Sequence, residues 1–211
     1  MDEKAQKPAA ATQASAPRWR EEGLPKVMAL NLPAEDPMPE GAATYFDKCE
    51  EKLGIVPNVL VAHAFDAERL DTFAKFYNSL MLAPSGLTKA EREMIAVTVS
   101  AINRCHYCLT AHGAALRQLT GDPALAETIT QNWRAADLSE RQRAMLAFVE
   151  KLSLRPAAMD EADRQALRDA GFSDRDIFDI ASVAGFYAMS NRLASATEMA
   201  PNPEYHAMAR D

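Results

Sequence analysis

The chain has 211 residues, 48% of them hydrophobic and 25% charged, with a formal net charge of −7. That length and balance belong to a globular protein with one substantial core. The acidic excess, with no basic stripe, argues against a nucleic-acid or anionic-membrane partner, and no apolar run approaches the roughly 18 residues of a membrane span. The N-terminus carries no apolar signal core, so a cytoplasmic protein is expected. In that reducing compartment a Cys-x-x-Cys pair serves catalysis or metal binding rather than structural cross-linking.

In chain order, residues 1–17 are rich in Ala, Gln and Pro and lack large apolar residues after Met1, which predicts a flexible tail. Residues 18–40 read as an extended Pro-rich arm with Val27, Met28, Leu30 and Leu32 as apolar anchors. The remainder reads as helices within one all-α domain spanning 18–211. A first helix ends at Gly54 on a glycine C-cap, and "PNVLVAHAF" supplies a second. Asp66 caps a third. Thr88 and Glu91 form a capping-box pattern at the start of the next, which runs to Arg104. "CHYCLTAHGAALRQLT" stops before Gly121, and Asp122-Pro123 opens the helix after it. Two more helices end near Pro156 and Gly171, and a long one follows Ser173. Strand and hairpin signals are poor, so the expected fold is all-α with about eight helices.

One stretch concentrates the chemistry. On a helix, Cys105, Cys108, His112, Leu116 and Leu119 share a face, with the two leucines expected in the core. His106 and Tyr107 point elsewhere. The preceding helix carries Glu93, which a helix–turn–helix arrangement can bring beside His112. A thiolate is the reactive form of cysteine, and its pKa falls at a helix N-terminus or beside a histidine. Cys105 has the helix end and Cys108 has His112 one turn later. Three readings stand side by side: a redox thiol pair, a zinc site using Cys105, Cys108, His112 and Glu93, and plain core packing. Cys49 reads as an inert half-buried residue and His63 as a satisfied core histidine. Asn191 and Arg192 read as groups that satisfy buried backbone or an interface.

The spacing Glu93-x11-Cys105-x2-Cys108-x3-His112 resembles the motif of the alkylhydroperoxidase D-like proteins of the carboxymuconolactone decarboxylase superfamily, in its peroxidase-related branch. The weaker likeness extends over residues 54 to 197. This resemblance implies an all-helical protomer assembled as trimers or hexamers, with a dimer as a building block. It implies a thiol peroxidase or disulfide oxidoreductase that acts on hydroperoxides, with no bound cofactor or metal and an external dithiol of the dihydrolipoamide type as reductant. Cys108 would be the peroxidatic thiol, Cys105 the resolving one, His112 the base and Glu93 the end of the proton relay. Tyr107 and His106 would stand in the shell around them. Tyr107 occupies the place where the best known member has a relay histidine, and a phenol is a poor base near neutrality. That departure motivates an alternative, a non-catalytic redox-sensing or scaffold oligomer of the same fold. The decarboxylase branch, which does not depend on a Cys-x-x-Cys pair, fits less well.

Overall fold

The structure is a computed structural model describing residues 16–210. The tail expected over residues 1–17 lies outside the described residues except for Ala16 and Pro17. Ten α-helices are present, eight of them at least seven residues long, and no strand occurs among the described residues. They are α1 (Arg18–Glu22), α2 (Glu40–Leu53), α3 (Asn58–Val61), α4 (Ala67–Met81), α5 (Lys89–Ile102), α6 (His106–Thr120), α7 (Pro123–Asn132), α8 (Glu140–Leu154), α9 (Glu161–Asp169) and α10 (Asp174–Ala196). None is long and apolar enough to cross a membrane.

The centre of the fold is α5. Every residue from Glu91 to Ser100 is buried, because α6, α7, α8 and α10 all pack around this one helix. A helix enclosed on all sides has no solvent face to reserve for polar residues. Its polar side chains therefore need partners inside the protein. At its start, Thr88 Oγ1 accepts from the Glu91 N–H (3.1 Å), and Glu91 Oε2 accepts from the Thr88 N–H (2.8 Å), closing the expected capping box. The other Glu91 oxygen accepts from Arg141 Nε at 3.0 Å.

The other punctuation follows the same local chemistry. Asp66 accepts from the Arg69 N–H, and Asp122 accepts from the N–H groups of Ala124 and Leu125 with Pro123 in the first turn. Gly54 and Gly121 end α2 and α6 in the left-handed conformation.

Several expectations need correction. Residues 18–22 are helical rather than extended: Arg18 pairs with Glu50, Arg20 pairs with Asp47, and Trp19 packs edge-on against Phe46 at 5.6 Å. "PNVLVAHAF" makes only the single turn α3. The His63 ring lies 2.7 Å from the Val59 carbonyl, the acceptor that an uninterrupted helix would give to the residue-63 N–H, and that N–H bonds Leu60 instead. His63 is otherwise the satisfied core residue expected, stacked on Phe73 at 4.2 Å.

The arm crosses its own domain, with the Ala29 N–H on the Thr197 carbonyl and the Ala200 N–H on the Val27 carbonyl. Val27 is buried as an anchor, but Leu30 and Leu32 are exposed, as is Leu119 on α6. Leu119 lies one turn past Leu116, where α6 leaves the core.

Gly86 sits where the loop before α5 meets the start of α10. A β-carbon there would collide with the Asp176 carboxylate, which accepts from the Ser173 N–H and hydroxyl to cap α10. Gly86→Ala is expected to destabilise the protein by about 1–3 kcal/mol. Equilibrium urea unfolding should show a lowered midpoint with an unchanged slope; an unchanged midpoint would show that the cap can move aside.

Candidate functional site

The helices α5 and α6 are joined by a tight turn in which Arg104 adopts a left-handed conformation (φ 52°). That turn folds α6 back along α5. Cys105 becomes the N-cap of α6, with its N–H donating to the Ser100 carbonyl at 3.0 Å. Cys105 and Cys108 are both free thiols and almost fully buried. His112 follows one turn later, and its Nδ1–H donates to Glu93 Oε2 at 2.7 Å, in a pair whose side chains are 13% and 8% exposed. A carboxylate only accepts, so this bond sets the histidine tautomer and leaves Nε2 as its open nitrogen. All four residues of the spacing motif are thus placed along one α5–α6 seam.

The two thiols lie near each other, and their acidities separate as a result. The neighbouring Cys108 thiol is the largest influence on Cys105 and brings its pKa down to about 6. Burial works against this. The Ser195 hydroxyl, the nearby His112 and the Cys108 N–H add to the lowering, although the last does not close a full cap hydrogen bond. Cys108 moves the other way, pushed up by the neighbouring Cys105 thiol, by burial and by the Cys105 charge, while Asn191 and Ser190 nearby pull it down. Physically, a charge on one sulfur disfavours a charge on the other, so the pair titrates as a unit. Lone Cys49 shows the contrast: burial with no donor pushes its pKa up to about 11.

α10 contributes Tyr187, which sequence reasoning passed over, and Asn191, which it read as satisfying buried backbone or an interface. The Tyr187 hydroxyl lies 3.3 Å from His112 Nδ1, and burial followed by the Glu93 charge holds this phenol well above its ordinary range. Asn191 is fully buried; its Nδ2 donates to Ser100 Oγ at 3.0 Å and its Oδ1 accepts from Asn103 Nδ2 at 3.0 Å. A signal existed in the spacing, since Tyr187, Asn191 and Ser195 fall on one face of an otherwise apolar helix. Arg192, in contrast, is exposed.

Neither the Tyr107 nor the His106 side chain hydrogen-bonds a residue of this seam among the described residues. The Tyr107 hydroxyl accepts from the Val59 N–H at 2.9 Å, so it anchors α3 to α6. His106 is exposed, with its ring centroid 6.2 Å from that of His206. Among the described residues no group of three or more His, Cys, Asp or Glu side chains is placed to hold a metal ion. Tyr107, Val27, Ala62, Ala111, Ala194 and Met199 form an apolar cluster with the two cysteines. A cavity of about 750 Å³ runs beneath the arm and is bordered by Val27, Met28 and Val61, which all belong to or pack on that cluster.

The lowered Cys105 pKa has a direct consequence for titration. Thiolate forms as pH rises through the pKa, so the reduced protein should show a step in thiolate ultraviolet absorbance near pH 6, below the ordinary thiol step at about 8.5. The step should vanish in Cys105→Ser and move upward in Cys108→Ala, which removes the stabilising thiol donor. A reduced wild-type protein that titrates only in the ordinary range would refute this account of the pair.

The carboxymuconolactone decarboxylase family profile matches residues 67–151, which contain the whole seam apart from α10. None of the curated proteins compared matches the chain. Among solved structures, an uncharacterized peroxidase-related protein from Silicibacter sp. TM1040 is 53% identical, covering 95% of this chain and 100% of its own, with a TM-score of 0.85. An uncharacterized peroxidase-related protein from Ralstonia eutropha JMP134, described as an alkylhydroperoxidase AhpD core, is 38% identical over 89% of this chain and 99% of its own, also with a TM-score of 0.85. The debrominase Bmp8, at 19% identity over 87% of this chain and 95% of its own and a TM-score of 0.69, shares the fold. With relatives this similar matched over nearly their whole length, the chain belongs to the carboxymuconolactone decarboxylase family and has the all-helical fold of its peroxidase-related, AhpD-like members.

Proposed function

We propose that the protein is a thiol peroxidase of the cytoplasm that reduces hydroperoxides through Cys105 and Cys108 and is recycled by an external dithiol of the dihydrolipoamide type, with no bound cofactor. The observation that carries this reading is the adjacency of Cys105 and Cys108, with their separated acidities, beside the buried His112–Glu93 hydrogen bond. Moving the Cys108 proton onto Cys105 leaves the charge on Cys108, which Asn191 and Ser190 nearby stabilise. The Cys108 thiolate attacks one peroxide oxygen and breaks the O–O bond, giving Cys108–SOH and an alkoxide. His112, held by Glu93, takes up a proton from solvent at its open Nε2 and passes it to the alkoxide, giving the alcohol. Cys105 then attacks the sulfenic sulfur and hydroxide leaves, taking up the Cys105 proton to become water. A disulfide remains. An external dithiol reduces that disulfide by exchange and leaves as its own disulfide.

Tyr187 approaches His112 Nδ1 from α10, where its hydroxyl accepts from the N–H already given to Glu93 and so helps to hold the ring. The apolar setting of the thiols and the cavity beneath the arm favour an organic hydroperoxide over hydrogen peroxide. The assembly is a homo-oligomer built through α10, whose outer face shows Phe178, Met189 and Leu193 around Gly185. Antiparallel pairing of two copies would bring the acidic start of one α10 towards Arg192 of the other.

Steady-state reduction of cumene hydroperoxide with a dithiol tests the chemistry. Cys108→Ser and Cys105→Ser should each abolish turnover, and His112→Ala should lower it by about 10²–10⁴-fold. Tyr187→Phe should cost about fivefold, the equivalent of one neutral hydrogen bond of ~1 kcal/mol. Sulfenic acid should be trapped on Cys108 in the Cys105→Ser protein; trapping on Cys105 instead would reverse the order of the two thiols. A disulfide that forms and is reduced without sustained turnover would favour the redox-sensing alternative.

A further inference from the structure

We propose that the pocket between α6, α7 and the C-terminal segment, on the opposite side of α6 from the thiols, is a binding site for a small organic monocarboxylate. The pocket has a volume of about 230 Å³, room for about seven water molecules at liquid density. Its floor is Arg117, which is only 4% exposed. Two of its guanidinium nitrogens are used by the protein, Nε donating to the Met208 carbonyl (3.0 Å) and Nη2 to the Tyr205 carbonyl (2.8 Å). Nη1 has no hydrogen-bond partner among the described residues and lies beside Gly113, where even a β-carbon would come within 3.6 Å. Neither backbone carbonyl carries a formal charge. The one carboxylate in the lining, Glu127, is engaged by Arg210 Nη1 at 2.6 Å.

Charge decides the ligand class. Two guanidiniums and one carboxylate leave a net charge of about one positive in the pocket, and a buried guanidinium without a counter-charge is costly. A monoanion balances that charge, whereas a dianion such as phosphate overshoots it. A carboxylate accepts guanidinium hydrogen bonds in a planar geometry, and Leu109 and Ala126 provide apolar wall for a short carbon chain or ring. The absent side chain at Gly113 keeps the approach to Nη1 open. The same Arg117 bonds also tie the segment 205–208 to α6, so ligand binding should order that segment as well.

Isothermal titration of the full chain with benzoate and with butyrate tests the site, with chloride at equal ionic strength as the control and inorganic phosphate as the competing class. Saturable one-to-one binding is expected for at least one carboxylate. Gly113→Leu, which fills the space beside Nη1 and leaves the Arg117 charge in place, should weaken it at least tenfold. Arg210→Met, an exposed change that leaves Arg117 in place, should weaken it too, because it releases the Glu127 charge into the pocket. Matching far-ultraviolet dichroism and unfolding midpoints for both variants would show that they fold. Absence of saturable binding, binding equal in both variants and the wild type, or tighter binding of phosphate would each overturn the proposal. None of these readouts depends on peroxide turnover.

Discussion

The arrangement of this protein turns on one buried hydrogen bond, from His112 on α6 to Glu93 on α5. α5 is enclosed by four other helices, so the Glu93 side chain is left only 8% exposed. Burying such a group without a partner costs several kcal/mol, and removing one member of a buried pair typically costs about 3–5 kcal/mol. The bond therefore sets where α6 sits along α5. Once that register is set, Cys105 must fall at the turn and Cys108 in the first turn of α6, side by side.

The same constraint explains why so much polarity collects on α10. Ser100, Asn103, His112 and the two thiols present polar atoms to a buried or half-buried seam. Tyr187, Asn191 and Ser190 meet them from the facing helix, with the exposed Ser195 at its edge. Replacing any one of these with an apolar residue would strand a partner on α5 or α6. The network is thus a condition of folding as well as a setting for thiol chemistry. The roles overlap because a donor that satisfies a buried sulfur also stabilises its anion.

Cys49 makes the point by difference. It too is buried, yet nothing donates to its sulfur and its pKa rises. Burial alone makes a cysteine inert. It is the second sulfur, the serine hydroxyl and the nearby histidine that turn burial into acidity at Cys105. The arm adds a further property, since Val27 packs in one apolar cluster with the thiols and also borders the cavity along the arm.

Much of this was legible in the residue order. Helix starts at Asp66, Thr88, Asp122 and Ser173, and ends at Gly54 and Gly121, depend on contacts within four or five residues, which local sequence carries. The shared face of Cys105, Cys108 and His112 follows from helical period alone. Where the reading failed, a distant group had intervened. Val59 lost its helical partner to the His63 ring, Trp19 made a helix worthwhile only by finding Phe46, and Leu119 runs out of core one turn after Leu116. The contribution of Tyr187 and Asn191 lies more than 70 residues from the motif (Tyr187 to His112 is 75) and exists only because α10 packs across the α5–α6 seam. Local sequence therefore specified which residues could share a face. Packing specified which of two chemically similar thiols is the acidic one, because acidity depends on the donors, charges and water that surround a sulfur, and those are brought from elsewhere in the chain.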